Sequence, residues 1–273
     1  MPALPVRPLA ADQVLLPVNF TLGAVLAVLL AVAVTVVAFA RLSEDGSRGS
    51  RSRAVAVAGL RAAVQLVAVA LLIGWVVRSG WLLLAFLTLM YAVAVRTAGR
   101  RITDNATWWW AALPIGAGVA PVVAALLLTG LVPPDGIALV PVTGILIGGA
   151  LTATVLGGRR ALDELATRHG EVEAGMAIGL LDREARLEIA RPAASDALLP
   201  GLDQTRTVGL VTLPGAFVGM LLGGASPMLA GIVQLFVLVA LLAVQAVAVA
   251  VVLELVARGR LYRSRTLYGA EGE

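Results

Sequence analysis

Apolar residues fall in long blocks along this chain, and polar residues collect in the gaps between them. The pattern predicts seven membrane-spanning helices at roughly 19–40, 54–77, 81–95, 108–129, 138–157, 207–224 and 230–256. Blocks of about 18 or more apolar residues are long enough to cross a hydrocarbon layer about 30 Å thick. The third block is short and glycines interrupt the sixth, so six and eight spans are the alternatives to seven. One polar stretch is longer than the rest. Residues 158–206 contain "EVEAGMAIGLLDREARLEIARP" (171–192) and carry 16 of the chain's 38 charged residues. Leu162 to Ile178 reads as helix, Gly179 interrupts it, and Asp182 is placed to cap a second helix that starts at Arg183-Glu184. Pro192 then bends or ends that helix, and Pro200-Gly201 ends the stretch beyond it. Met176, Leu180 and Leu187 form a moderate apolar stripe. The fold class is therefore an all-α polytopic membrane protein of about seven transmembrane helices with a helix-turn-helix loop. Its divisions are a tail (1–18), spans one to five (19–157), the polar segment (158–206), spans six and seven (207–256) and a second tail (257–273).

Composition sharpens this picture. Apolar residues make up 59% of the 273 and charged residues only 14%, and the mean hydropathy is +0.93. Residues 1–20 lack the compact charged region and small-residue cleavage site of a signal peptide and read as a tail before a retained span. Every one of the 21 basic residues is arginine. Segments 41–53, 96–101, 159–206 and 258–265 hold four, three, seven and four of them, whereas the opposite side holds only Arg7 and Arg78. That bias predicts an outer N-terminus and a cytoplasmic C-terminus in the plasma membrane. The net charge of +4 then reflects topology, and no nucleic-acid partner is expected. With no cysteine, and with His169 the only histidine, thiolate chemistry and a His-rich metal cluster are excluded. Lysine is absent, so the chain holds no ordinary P-loop. Any ATP and Mg would sit on another chain, with no cofactor on this one.

Some polar residues lie inside the spans. Arg61 sits about seven residues in, roughly 10 Å deep. It is a snorkelling anchor or, with Gln65 one turn on, part of an inward-facing gate. In "LPGAFVGMLLGG" (213–224), Pro214 removes a backbone donor and with Gly215 should break the span, so this stretch must be buried in protein or line a cavity. Gly215, Gly219 and Gly223 recur every four residues, as in a close-packing seam; with Met220 they line a path or a helix seam. Thr207, Thr212 and Gln234 are the polar contributors. Glu254 should pair with Arg258 or Arg260. "TWWW" (107–110) reads as an interfacial aromatic belt, and Asp135 favours the outer turn. No nucleophile–base pair or pair of carboxylates stands out, so catalysis by this chain is not expected, and any metal ligands are unknown.

Four stretches in order carry a resemblance. "EAGMAIG" (173–179) followed by Pro192 is similar to the Glu-Ala-Ala coupling loop of bacterial ATP-binding-cassette permeases. "TVGLVTLPGAFVGMLLGGASP" (207–227), "RAAVQL" (61–66) and "AGIVQLFV" (230–237) closely resemble the motifs of the FetB-like permease family, associated with iron export and, in plants, with aluminium tolerance. The resemblance implies a membrane subunit that pairs with a second copy of itself. Each copy would dock a separate ATPase subunit through Glu173, Ala174, Gly179, Asp182 and Arg183, and export metal ions or a small solute. The alternative is an autonomous secondary carrier or channel; a carrier coupled to protons would be expected to show a midmembrane Asp, Glu or His, and none lies well inside a span. The chain departs from the family pattern at Val218 and Met220, where Thr and Gln oxygens are expected, and at Gly149, where the pattern has Asn. The resemblance thus assigns an architecture and leaves the cargo open.

Overall fold

A computed structural model describes residues 19–40 and 50–264. The expected first tail, most of the basic 41–53 segment and the end of the last tail lie outside them. Among the described residues the chain is helical, with one isolated bridge between Val208 and Thr212.

Two units are described separately. The first contains α1 (Phe20–Phe39) and α2 (Ser50–Val76). Asn19 starts α1 by accepting the Leu22 amide at 3.0 Å, the usual service of a short polar N-cap. The two helices pack on each other where Gly59 meets the Leu30 side chain. Neither helix buries residues in its most apolar window, so both present apolar surface outward, as suits helices in lipid.

The second unit is built on α3 (Gly80–Ile102), α4 (Ala112–Leu128), α5 (Gly136–Thr167) and α10 (Pro227–Ala257), with a 3-10 turn over Ala106–Ala111 leading into α4. Lipid offers no hydrophobic force between helices, so close packing at small residues must hold them together. Gly118 lies where a Cβ would be 2.8 Å from the Val244 carbonyl oxygen, and Gly149 where it would be 2.5 Å from Leu241. Ala98, Ala111, Ala150, Val244, Ala248 and Val252 fill the seam between them. Gly149 sits against Leu241 and Gln245, and Gly157 against Val249 and Val252, so α5 and α10 run parallel. Gly144 against Met90 and Gly158 against Ile102 make α3 parallel to α5.

The C-terminal ends of α3, α5 and α10 therefore share one end of the unit. Thr103 and Asn105 donate to the Tyr262 carbonyl at 2.6 and 2.8 Å, and Arg263 donates to the Ile102 carbonyl at 2.9 Å and pairs with Asp163. Within this unit, Arg100, Arg101, Arg159, Arg160, Arg258 and Arg263, all predicted to be cytoplasmic, stand at or near these helix ends. Around the other end, the charged residues among 77–80, 129–136 and 223–227 are Arg78 and Asp135. Asp135 caps α5 by accepting the Ala138 amide at 3.0 Å.

Among the described residues, six helices are long and apolar enough to cross a membrane: α1, α2, α3, α4 with its leading turn, α5 and α10. The third expected span extends to Ile102. The sixth, 207–224, is not one helix. It divides between the end of α8 (Leu199–Thr207), a turn, and the eight-residue α9 (Gly215–Leu222). Eight residues rise only about 12 Å. Two features cause the break: Gly209 has φ +81°, and Pro214 has no amide to continue a ladder.

Candidate coupling hairpin and broken return segment

The polar segment forms a helical hairpin on the arginine-rich end. α5 stops at Thr167, and α6 (His169–Ala177) starts after Arg168. Arg168 fastens this elbow by donating to Glu171 Oε1 at 2.6 Å and to Glu164 Oε1 at 3.1 Å, with a second bond to Glu171. The fork holds the Glu171 carboxyl below its usual range and raises the Arg168 guanidinium. Glu173 lies one turn on, exposed, with one oxygen 3.3 Å from His169 Nδ1.

The turn out of α6 depends on a glycine. Gly179 has φ +103°, its amide donates to Met176 O at 3.0 Å, and the Leu180 amide donates to Gly175 O at 3.1 Å. This is the paired 5→2 and 6→1 closure of a Schellman motif. Gly175 meets Ala185 on α7 (Asp182–Ser195), where a Cβ would lie 3.3 Å from the alanine methyl. The small residues of "EAGMAIG" thus let the two helices meet, and Ala174 stays exposed. At the tip Ile178 is 84% and Leu181 68% exposed.

Below the tip α7 is anchored firmly. Ala185 and Ile189 pack with Val172 and Leu165, while Leu187, Ala190 and Ala194 enter the main core. The expected stripe is therefore corrected: Leu187 is buried and Met176 and Leu180 are not, because α7 turns its own face to α5 and α10. Asp182 is corrected too. Leu181 is the N-cap residue, and its amide donates to Glu184 at 3.3 Å. Asp182 is the first helical residue and pairs with Arg186 at 2.8 Å. Arg183 bonds Glu254 on α10 through two donors, each at 2.7 Å, which raises its affinity for its proton. Glu254 also accepts from Arg258, as expected, whereas Arg260 lies over the Trp110 ring at 5.5 Å. Arg160 pairs with Asp196 at 2.5 Å. Pro192 does not end α7, which continues three residues past it, and Pro200 does not end a helix but lies in the first turn of α8, where its missing N–H costs nothing.

Because α5 and α10 are parallel, the chain between them must return along the bundle. It does so in pieces. Gly201 faces Gln245, and sixteen residues later the Phe217 amide donates to Gln234 Oε1 at 3.3 Å. Gln245 to Gln234 is eleven residues of helix, or about 16 Å, so the chain runs antiparallel to α10 over that distance. Thr207 closes α8 by donating to Asp203 O at 2.8 Å. Gly209 and Thr212 are joined by an amide–carbonyl bond of 2.9 Å, Pro214 caps α9, and the Met220 carbonyl accepts the Ala225 amide at 3.0 Å to end it. Gly215 and Gly219 have nothing within 4 Å of an added Cβ, and Gly223 meets only carbonyls of its own helix. Among the described residues the expected glycine seam is therefore open. Arg61 and Gln65 are exposed on α2 in the first unit; the other expected path residues lie in the second, with Gln234 alone deeply buried, at 4%.

A sequence profile described as Uncharacterised protein family (UPF0014) matches residues 24–261. The chain belongs to that family. Its UPF0014 relatives include Protein ALUMINUM SENSITIVE 3 of Arabidopsis thaliana, 37% identical over 161 residues, which is 59% of each chain. UPF0014 membrane protein STAR2 of Oryza sativa subsp. japonica is 35% identical over 161 residues, 59% of this chain and 56% of the relative. Probable iron export permease protein FetB of Escherichia coli is 27% identical over 154 residues, 56% of this chain and 58% of the relative. The chain thus spans less than two thirds of the length of these three relatives. No solved structure matches.

Three buried polar residues of this UPF0014 chain escape a motif-based reading. The hydroxyls of Thr143 and Thr154 and Oε1 of Gln245 are buried among the described residues without a hydrogen-bond partner. Gln245 is the most informative. It is 9% exposed, sits near the middle of α10, and is framed by Gly149 on α5 and Gly201 on α8. Gly149 leaves room for this carboxamide, whose Nε2 would lie 3.5 Å from a Cβ at position 149. The signal was a lone Gln inside "LLAVQAVAVA", a polar residue deep in an apolar span.

Proposed function

We propose that this chain is the membrane-spanning permease subunit of an ATP-driven transporter, worked by a separate ATPase subunit that grips the α6–α7 tip. One observation carries the reading: an exposed apolar tip, Ile178 and Leu181, stands on a hairpin stiffened by the Arg168 elbow and the Gly179 closure. Water-exposed isoleucine and leucine beside Glu173 suit a protein socket better than open solvent. Movement imposed at the tip has a direct route inward. α7 leads through the 3-10 turn Asp196–Leu198 into α8, whose Gly201 bears on Gln245, and beyond it lies the break at 208–214. A partner can shift this element only through contacts that differ between two states.

The broken return counts as a seventh traversal. With the arginine distribution, it supports an N-terminus outside and a C-terminus in the cytoplasm of the plasma membrane, with the hairpin inside. A second copy of the chain is proposed to complete the pathway at the open glycine face of α9. The cargo is proposed as metal ions, iron-like, or a small solute. The name of the Escherichia coli relative favours iron export, whereas Val218 and Met220 offer no side-chain oxygen. ATP and Mg would be held by the partner subunit.

Reconstitution with the cognate ATPase tests this reading. Replacing Glu173 or Gly179 is expected to abolish stimulated ATP hydrolysis while membrane insertion stays normal. Full stimulation in both variants, or transport without any ATPase, would favour an autonomous carrier or channel.

A further inference from the structure

A groove of about 550 Å³ opens between the start of α4 and the last turns of α10. Leu113, Ala250 and Val251 form its apolar floor, Trp110 one wall, and Arg258 and Arg260 its rim. Ala250 lies seven residues before the end of α10, roughly 10 Å below it. Floor and rim therefore stand at the depths of acyl chain and headgroup when α10 crosses a bilayer.

The charge is one-sided. Glu254, the carboxylate in the lining, is bonded by Arg183 at 2.7 Å and also by Arg258. The lining thus carries two guanidiniums, those of Arg258 and Arg260, against the one carboxylate of Glu254, and Glu254 is shared with Arg183 from outside the groove, so the rim is net positive. Arg260 Cζ lies over the Trp110 ring, 5.5 Å from its centroid, a cation–π placement that holds the guanidinium at the rim. Trp110 is itself stacked on Trp109, with ring centroids 4.3 Å apart, so the wall that positions Arg260 is braced.

We propose that this groove binds one acidic phospholipid, with its phosphate held by Arg258 and Arg260 and an acyl chain laid over Leu113, Ala250 and Val251. Charge complementarity selects the occupant. A zwitterionic lipid would bring an ammonium into the same cationic rim, and a soluble phosphate would leave the apolar floor uncovered. Basic pockets between membrane helices are common sites for acidic headgroups. The proposal rests on α10 crossing the bilayer and not on the transport reading, so each can fail without the other.

The test uses the full chain purified in detergent, with native mass spectrometry and thermal shift, comparing phosphatidylglycerol with phosphatidylcholine of identical chains. Phosphatidylglycerol is expected to remain bound at one per chain and to raise the melting temperature more than phosphatidylcholine. Arg260→Gln should weaken phosphatidylglycerol about fivefold, the effect of one basic side chain at an anionic surface. It should leave phosphatidylcholine unchanged, and Arg101→Gln, outside the groove, should change neither. Equal retention of the two lipids, an undiminished preference in Arg260→Gln, or equal stabilisation by soluble glycerol phosphate would overturn the proposal. So would lipid retention that vanishes whenever the protein dimerises, since a second copy would then own the groove.

Discussion

Replacing Gly179 with alanine separates backbone conformation from every other effect. At φ +103° an L side chain is strained, yet nothing lies within 4 Å of the added Cβ. No clash contributes, and the cost is the backbone term alone, about 1–2 kcal/mol. That cost falls on a closure held by two hydrogen bonds, Gly179 N to Met176 O and Leu180 N to Gly175 O. Each such bond contributes about 0.5–1.5 kcal/mol, so the penalty is comparable with what holds the turn shut. The bundle core contains no part of this closure and should not respond. Hydrogen–deuterium exchange on the purified protein would read the amides of 179 and 180 directly. They should exchange about 5–30-fold faster in Gly179→Ala, the factor that 1–2 kcal/mol implies, with protection in α10 unchanged. Gly179→Asn, which tolerates positive φ better, should fall between. Unchanged exchange at 179–180 in the alanine variant would refute the reasoning, and so would a uniform loss of protection throughout the chain.

Two further outcomes can be checked on the same material. Gly201→Ala would place a Cβ 2.0 Å from Gln245 Oε1 and should destabilise the folded protein by about 1–3 kcal/mol, visible as a lower melting temperature. Gln245→Ala in the same chain should recover much of that loss, giving a clearly non-additive cycle; simple additivity would show that the two do not press on each other. The Arg168 elbow should respond to pH in one direction. Glu171 is held below its usual range by the Arg168 fork, so its contribution is complete above the ordinary carboxylate range and is lost as pH falls through the lowered value. A carboxyl titration by NMR should show this depression disappearing in Arg168→Gln.

The apolar periodicity located the bundle because span length and hydropathy are properties of the chain itself. It found α1, α2, α4 and α10 nearly to their ends. The return segment was legible in part: Pro214 was expected to break the apolar stretch 207–224 and stands where α9 begins, whereas the second interruption at Gly209, with φ +81°, was missed because composition does not register a backbone angle. In the hairpin, Gly179 was legible because few residues other than glycine suit its backbone angle. Asp182 was misplaced by one position because Glu184 reaches back to Leu181 and serves the cap from inside the helix. Arg183 was assigned outward, yet its partner Glu254 lies 71 residues further on, and no local pattern announces a pairing at that distance. Gln245 belongs to no motif; its importance lies in Gly149 and Gly201 closing around it.

The most direct measurement is site-specific photocrosslinking from Ile178 at the hairpin tip in native membranes. The crosslinked product should be one protein that carries a P-loop and binds ATP, and Gly179→Ala should reduce its yield. Recovery of lipid alone, or of no nucleotide-binding subunit, would contradict the assignment of this tip as the place where an external motor takes hold.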